Sequence, residues 1–188
     1  MDWTALLKTI GLCLISILIE AISATKKGKQ WFDQLKRPKY SFSLRIWYFV
    51  GAAYYIIFGI VAYRQFSNSI NVISASIILL TLVMILNGLG NFIIFKYRSL
   101  KWFYLVIYPF SLLLLSLIVV LVPTDKLSAT LASFYFLWLI YDLYYGYNLW
   151  RLNRHAVEEL ETWLTHQGRW NHTHGKFHCA LTKTYVSS

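Results

Sequence analysis

"FSLLLLSLIVVLV", residues 110–122, carries no charge and no alternation of apolar with polar positions. A half-wet strand alternates, and a helix on a soluble core keeps a polar stripe. This run does neither, so its natural solvent is hydrocarbon. "IILLTLVMIL", residues 77–86, has the same character. In lipid only helices and closed barrels satisfy every backbone polar group, and barrel strands alternate. Both runs therefore predict helices.

Working outward, five apolar stretches are long enough to cross a hydrocarbon core of ~30 Å, which takes about 20 helical residues. The predicted spans are Trp3–Ala24, Ile46–Tyr63, Ile70–Phe95, Trp102–Val122 and Leu127–Trp150. The third is longer than it needs to be and should tilt or project. The first, "ALLKTIGLCLISILIEAISA", is too long for the core of a signal peptide and has Asp2 and Lys8 where such a leader would not. It is read as a retained span. The expectation is an all-α integral membrane protein: a five-helix bundle over residues 1–153, then a polar, histidine-containing tail over 154–188.

Composition agrees. Of 188 residues, 57% are hydrophobic, 18% aromatic and only 14% charged, against about 25% charged in soluble domains. The net charge of +10 does not point to nucleic acid, because long uncharged runs leave little room for a basic solvated face. The cations cluster instead. Lys26, Lys27, Lys29, Lys36, Arg37, Lys39 and Arg45 fill the first loop, Lys96, Arg98 and Lys101 the third, and Arg151 and Arg154 follow the last span. The second and fourth loops offer Arg64 and Lys126. The positive-inside rule then puts the N-terminus outside and the C-terminus in the cytosol.

Aromatic residues concentrate in two places. The first loop holds "WFDQLKRPKY", residues 31–40, where Pro38 removes a donor and biases Arg37 toward extended backbone. Trp31, Tyr40 and Trp47 fit an interfacial aromatic belt; they also fit a lid over a cavity between the helices. The fifth span, "FYFLWLIYDLYYGYNLWRLN", places Trp138, Tyr141, Asp142, Tyr145 and Leu149 on one helical face. A bare carboxylate in lipid costs at least ~2.5 kcal/mol, so Asp142 must turn inward, with tyrosine hydroxyls as candidate partners. One acid, several phenols and a tryptophan suit a large, flat, mostly apolar ligand. Packing against neighbouring helices, with Asp142 meeting Lys8 or another span, is the alternative. Lys8 and Glu20 of the first span read as snorkelling outward and toward the basic loop.

Two further patterns are weaker. Leu143, Tyr147 and Arg151 fit a proposed cholesterol pattern, and equally an ordinary interfacial helix end. His172, His174, His178 and Cys179 match no metal-binding spacing and read as a solvated tail, so no metal site is expected. "AVEELETWLTHQ" could form a short amphipathic helix through Val157, Leu160 and Leu164. Cys13 and Cys179 indicate no disulfide framework, and no phosphate-cradling or hydrolase motif occurs.

Taken in register, these features resemble the tryptophan-rich sensory protein/translocator protein (TspO/MBR) family. The matching loop residues are Trp31, Phe32, Leu35, Arg37 and Pro38. The second span keeps Tyr55, Gly59 and Tyr63; the third Leu86, Asn87 and Phe95, followed by Arg98 and Trp102. The fifth keeps Tyr135, Trp138, Trp150, Arg151 and Asn153. The resemblance implies a ligand cavity open toward the cytosolic side under the loop 25–45, often in a homodimer. It implies porphyrin, haem or sterol-like ligands, with no cofactor required. Carried over, Trp31 and Pro38 belong to the lid, Asn87, Trp102 and Trp138 line the cavity, and Tyr147 and Arg151 fall on the sterol motif.

The departures bear on chemistry. Phe42-Ser43 stand where the family has a proline pair, Gly51 where it has a tryptophan in the second span, and Gly90 where it has one in the third. Trp47 lies one turn from Gly51. Photo-oxidative porphyrin breakdown, known for some members, would have to rest on Trp138 or Trp102. Sequestration, sensing or transport of the ligand is the leading expectation. A scaffold acting through partners or through its tail is the other.

Overall fold

The computed structural model describes residues 2–23, 26–68 and 74–170, from 155 onward by backbone alone. Among these residues there are six α-helices and no strand: α1 Trp3–Ser23, α2 Lys26–Asp33, α3 Leu44–Asn68, α4 Ala75–Phe92, α5 Leu100–Leu121 and α6 Lys126–Trp170. A π-helical turn, Ile93–Tyr97, continues α4. The five long helices are each apolar enough to cross a membrane. Close Cα packing divides the chain into Met1–Leu152 and Asn153–Ser188. The helix contacts and the cavity described below belong to the first unit.

The helices begin where short polar side chains can take up orphan backbone donors. Asp2 Oδ1 accepts from the Thr4 and Ala5 amides at 2.9 and 3.1 Å. Ser74 caps α4 and Ser99 caps α5 through their hydroxyls. Asp125 accepts from the Ser128 amide and hydroxyl at the start of α6. The α4 run ends at Arg98, which takes the left-handed conformation with φ 53° and breaks the helical path before α5.

Packing in lipid relies on close backbone approach rather than on exclusion of water. Gly88 of α4 supplies one such approach: a Cβ there would lie 3.1 Å from Ile19 and 3.2 Å from the Ser16 carbonyl of α1. Ser16 also donates to the Met84 carbonyl at 2.8 Å. Gly146 of α6 supplies another, with Ile107 of α5 at 2.9 Å from the same virtual atom. Around these contacts Tyr54, Phe58, Leu80, Met84, Leu114 and Leu117 form a buried core. The outward face of α1, with Trp3, Leu7, Leu14, Ile15 and Leu18 exposed, is unworkable in water and natural in hydrocarbon.

Some boundaries differ from the sequence reading. The third long helix starts at Ala75, where Ser74 caps it, rather than at Ile70; residues 70–73 lie outside the described ones. The second and fifth long helices run beyond their apolar cores, because helix geometry does not stop where hydropathy does. The stretch near Val157, expected as a separate short helix, is part of α6, with its side chains outside the description. His172, His174, His178 and Cys179 also lie outside it. The first loop contains an unexpected helix, α2: it has no apolar run, only Gly28 and Phe32 buried one turn apart.

A candidate ligand-binding cavity

The bundle holds a partly open cavity of about 190 Å³. Every helix of the first unit contributes a wall. Glu20 comes from α1, Phe32 from α2, Trp47 and Tyr54 from α3, Asn87 from α4, Phe103 from α5 and Trp138 from α6. The floor is aromatic: Tyr54 and Tyr135 rings sit 5.0 Å apart. Toward the loop, Trp47 meets Trp138 edge to face at 5.5 Å and 81°, and Trp47 and Tyr145 rings lie 5.0 Å apart.

The segment before α3 packs against α6 at this end. Phe42 stacks on Trp138 at 5.7 Å and 24°. The Tyr141 hydroxyl donates to the Tyr40 carbonyl at 2.9 Å and accepts from the Phe42 amide at 3.3 Å. Two loop residues are thus tied to α6 through backbone groups, which makes the tie independent of their side chains. Pro38 is buried, and its carbonyl accepts from the Ser41 amide at 3.1 Å to turn the chain back. Within α2 and its neighbours, Arg37 pairs with Asp33 at 3.0 Å.

The polar groups inside are few and unevenly served. Glu20 accepts from the Tyr55 hydroxyl at 2.8 Å, so it turns into the bundle wall. Asn87 and Asn91 line the α4 side. Asp142 reaches the cavity in mid-helix, and its Oδ1 is buried with no hydrogen-bond partner. The Tyr54 hydroxyl is likewise buried without a partner. No tyrosine hydroxyl serves Asp142 among the described residues: that of Tyr141 is committed to the loop backbone and that of Tyr55 to Glu20. Nor does Asp142 meet Lys8, whose side chain is exposed.

A family model, TspO/MBR family, matches residues 9–151. The chain belongs to the TspO/MBR family. With five apolar helices, it is a multi-pass membrane protein. No curated protein is similar enough to the chain to count as a match.

Of the residues singled out in the sequence, Trp47, Asn87, Trp138, Asp142 and Tyr145 line the cavity together. Four others do not. Trp102 is 61% exposed on the first turn of α5, and Phe103, one position on, faces inward in its place. Trp31 packs in a satellite cluster with Phe95 and Leu149, while its neighbour Phe32 lines the wall. Pro38 shapes the loop and Tyr141 fastens it. The sterol-pattern residues fall away from the cavity: Leu143 packs on the core, Tyr147 is partly exposed against Tyr104, and Arg151 is exposed. The two glycines standing at family tryptophan positions, Gly51 and Gly90, both line the cavity, and neither has an atom within 4 Å of a virtual Cβ. The wall is open at both positions.

Sequence reasoning reads Glu20 chiefly as turning toward the basic loop and gives no ligand role to Tyr54 and Phe42. Glu20 has a usable signal, since an acid deep in a first span needs a reason. Phe42 has none: a single phenylalanine in a polar loop does not announce what it covers.

Proposed function

We propose that the protein binds a flat, mostly apolar molecule in the intrabundle cavity, beneath the segment that Phe42 and Tyr141 hold down, and so sequesters, senses or moves it. The observation that carries this reading is the placing of Trp138. Its ring forms a cavity wall and carries the Phe42 stack at the same time. A ligand that displaces Phe42 would exchange one aromatic partner for another at little cost. Tetrapyrroles and sterol-like lipids are the ligand classes the family points to, and the loop cations suit propionates at the mouth. At about 190 Å³ the cavity is smaller than typical ligand sites of roughly 300–1,000 Å³, so a macrocycle requires it to widen.

Titration of the full chain in detergent with protoporphyrin IX, haem and a sterol tests this, read by quenching of tryptophan fluorescence. Trp138→Ala should weaken binding several-fold. Unaltered affinity in that variant would remove Trp138 from the site. Illuminating the protoporphyrin complex separates binding from oxidative breakdown, because only breakdown yields new product absorbance. With Gly51 and Gly90 in place of rings, binding without breakdown is the expected result.

A further inference from the structure

Once the cavity is taken as the ligand site, its polar lining restricts what the buried end of the ligand can be. Two carboxylates, Glu20 and Asp142, face the same space, and among the described residues lining it there is no lysine, arginine or histidine. Both carboxylates lie within Coulombic reach of the Tyr135 hydroxyl in the floor. An anion pushed past the loop would meet two carboxyl groups and no cation among the described lining residues; Arg37, paired with Asp33, acts on the Tyr145 hydroxyl from outside that lining. A neutral hydrocarbon would leave Asp142 Oδ1 and the Tyr54 hydroxyl, the latter on a side chain 1% exposed, as unsatisfied as they are now.

An organic ammonium answers both problems. Its N–H groups are donors for the orphaned Asp142 oxygen, and acceptors are what Tyr54 and Glu20 present. The ring arrangement favours it as well. Trp47, Trp138 and Tyr145 form three walls near Asp142 on the loop side. Aromatic faces grouped in this way attract a desolvated cation through their quadrupoles.

We infer that the cavity selects an amphiphile with a protonated amine, held between Asp142, Glu20 and the Trp47–Trp138–Tyr145 rings. The exposed cations of the loop work in the same direction, since they disfavour leaving an ammonium at the mouth.

Three probes with one body test this: pyrenemethylamine, pyrenemethanol and pyrenecarboxylate. Each is titrated at neutral pH into the full chain in detergent, read by energy transfer from tryptophan to pyrene. The amine should bind roughly tenfold tighter than the alcohol, with the carboxylate weakest. In Asp142→Asn the amine should lose roughly tenfold while the alcohol stays within about twofold. Glu20→Gln, whose carboxamide oxygen still accepts from Tyr55, should narrow the amine-to-alcohol ratio too and guards against an Asp142 variant that does not fold. Equal binding of amine and alcohol, or a ratio untouched by both substitutions, overturns the inference while leaving the cavity as a ligand site. Absence of transfer from all three probes overturns the ligand site with it.

Discussion

Helix α6 and the turn before it carry two aspartates with buried oxygens, Asp125 at the helix start and Asp142 about 25 Å further along its axis. Asp125 is fully served. Arg64 donates to both its oxygens at 2.8 and 3.0 Å, Gln65 approaches at 3.5 Å and Ser128 donates at 2.6 Å. Its side chain is 3% exposed. Asp142 has a buried oxygen that nothing donates to and a cavity in front of it. The first end is closed by an ion pair that ties α3 to α6. The second is left electrostatically incomplete. A carboxylate with every lone pair committed is a fastener; one held inside a bundle with an oxygen unserved costs folding free energy without fastening a neighbour.

The largest expected effect of breaking this contrast lies at the first end. Asp125→Ala removes a bidentate partner from Arg64 and the cap from α6 together. The loss should be about 2–3 kcal/mol, below the value for a wholly buried pair because Arg64 keeps some exposure. Thermal unfolding in detergent would show it, with pyrene-amine affinity of the folded protein unchanged. Acid gives a somewhat smaller version of the same effect. The Arg64 guanidinium, helped by Ser128 and opposed by burial, holds the Asp125 carboxyl down at about 2 from an ordinary 3.8. A depressed value means the stabilisation is complete above the ordinary carboxylate range and is lost as pH falls through about 2. It amounts to roughly 1–2 kcal/mol. Asp125→Asn should flatten the acid limb of the stability curve over that window. A variant with the same acid limb as the parent would show that the pair does not fasten the helices.

The two ends are unequally legible in the sequence. The five spans can be read because uncharged runs longer than a bilayer core have few alternatives. Trp138, Asp142 and Tyr145 can be placed on one inward face because helical periodicity fixes their common direction. That same periodicity includes Tyr141, which turns instead to the Tyr40 and Phe42 backbone, since a face spans enough arc for neighbours to part. Trp102 misses the cavity by one position, a rotation that no hydropathy pattern resolves next to Phe103. The Arg64–Asp125 pair is hidden for another reason. It joins residues 61 apart, and long-range pairing leaves no local trace. In the sequence Arg64 reads only as a loop cation.

The smallest expected effect sharpens the contrast most, because its sign differs. Asp142→Asn keeps size and shape and removes the carboxylate. If Asp142 is reserved for a ligand, nothing structural is lost, and the folded protein no longer withdraws an ionisable group from water. Stability should hold or rise by up to about 1 kcal/mol, against the fall expected for Asp125. The same detergent unfolding experiment reads both variants side by side. A drop of about 1 kcal/mol or more would mean that the Asp142 carboxylate fastens the bundle as Asp125 does. The distinction between a structural acid and one reserved for a ligand would then disappear, and with it the reason to look for a cation in the cavity.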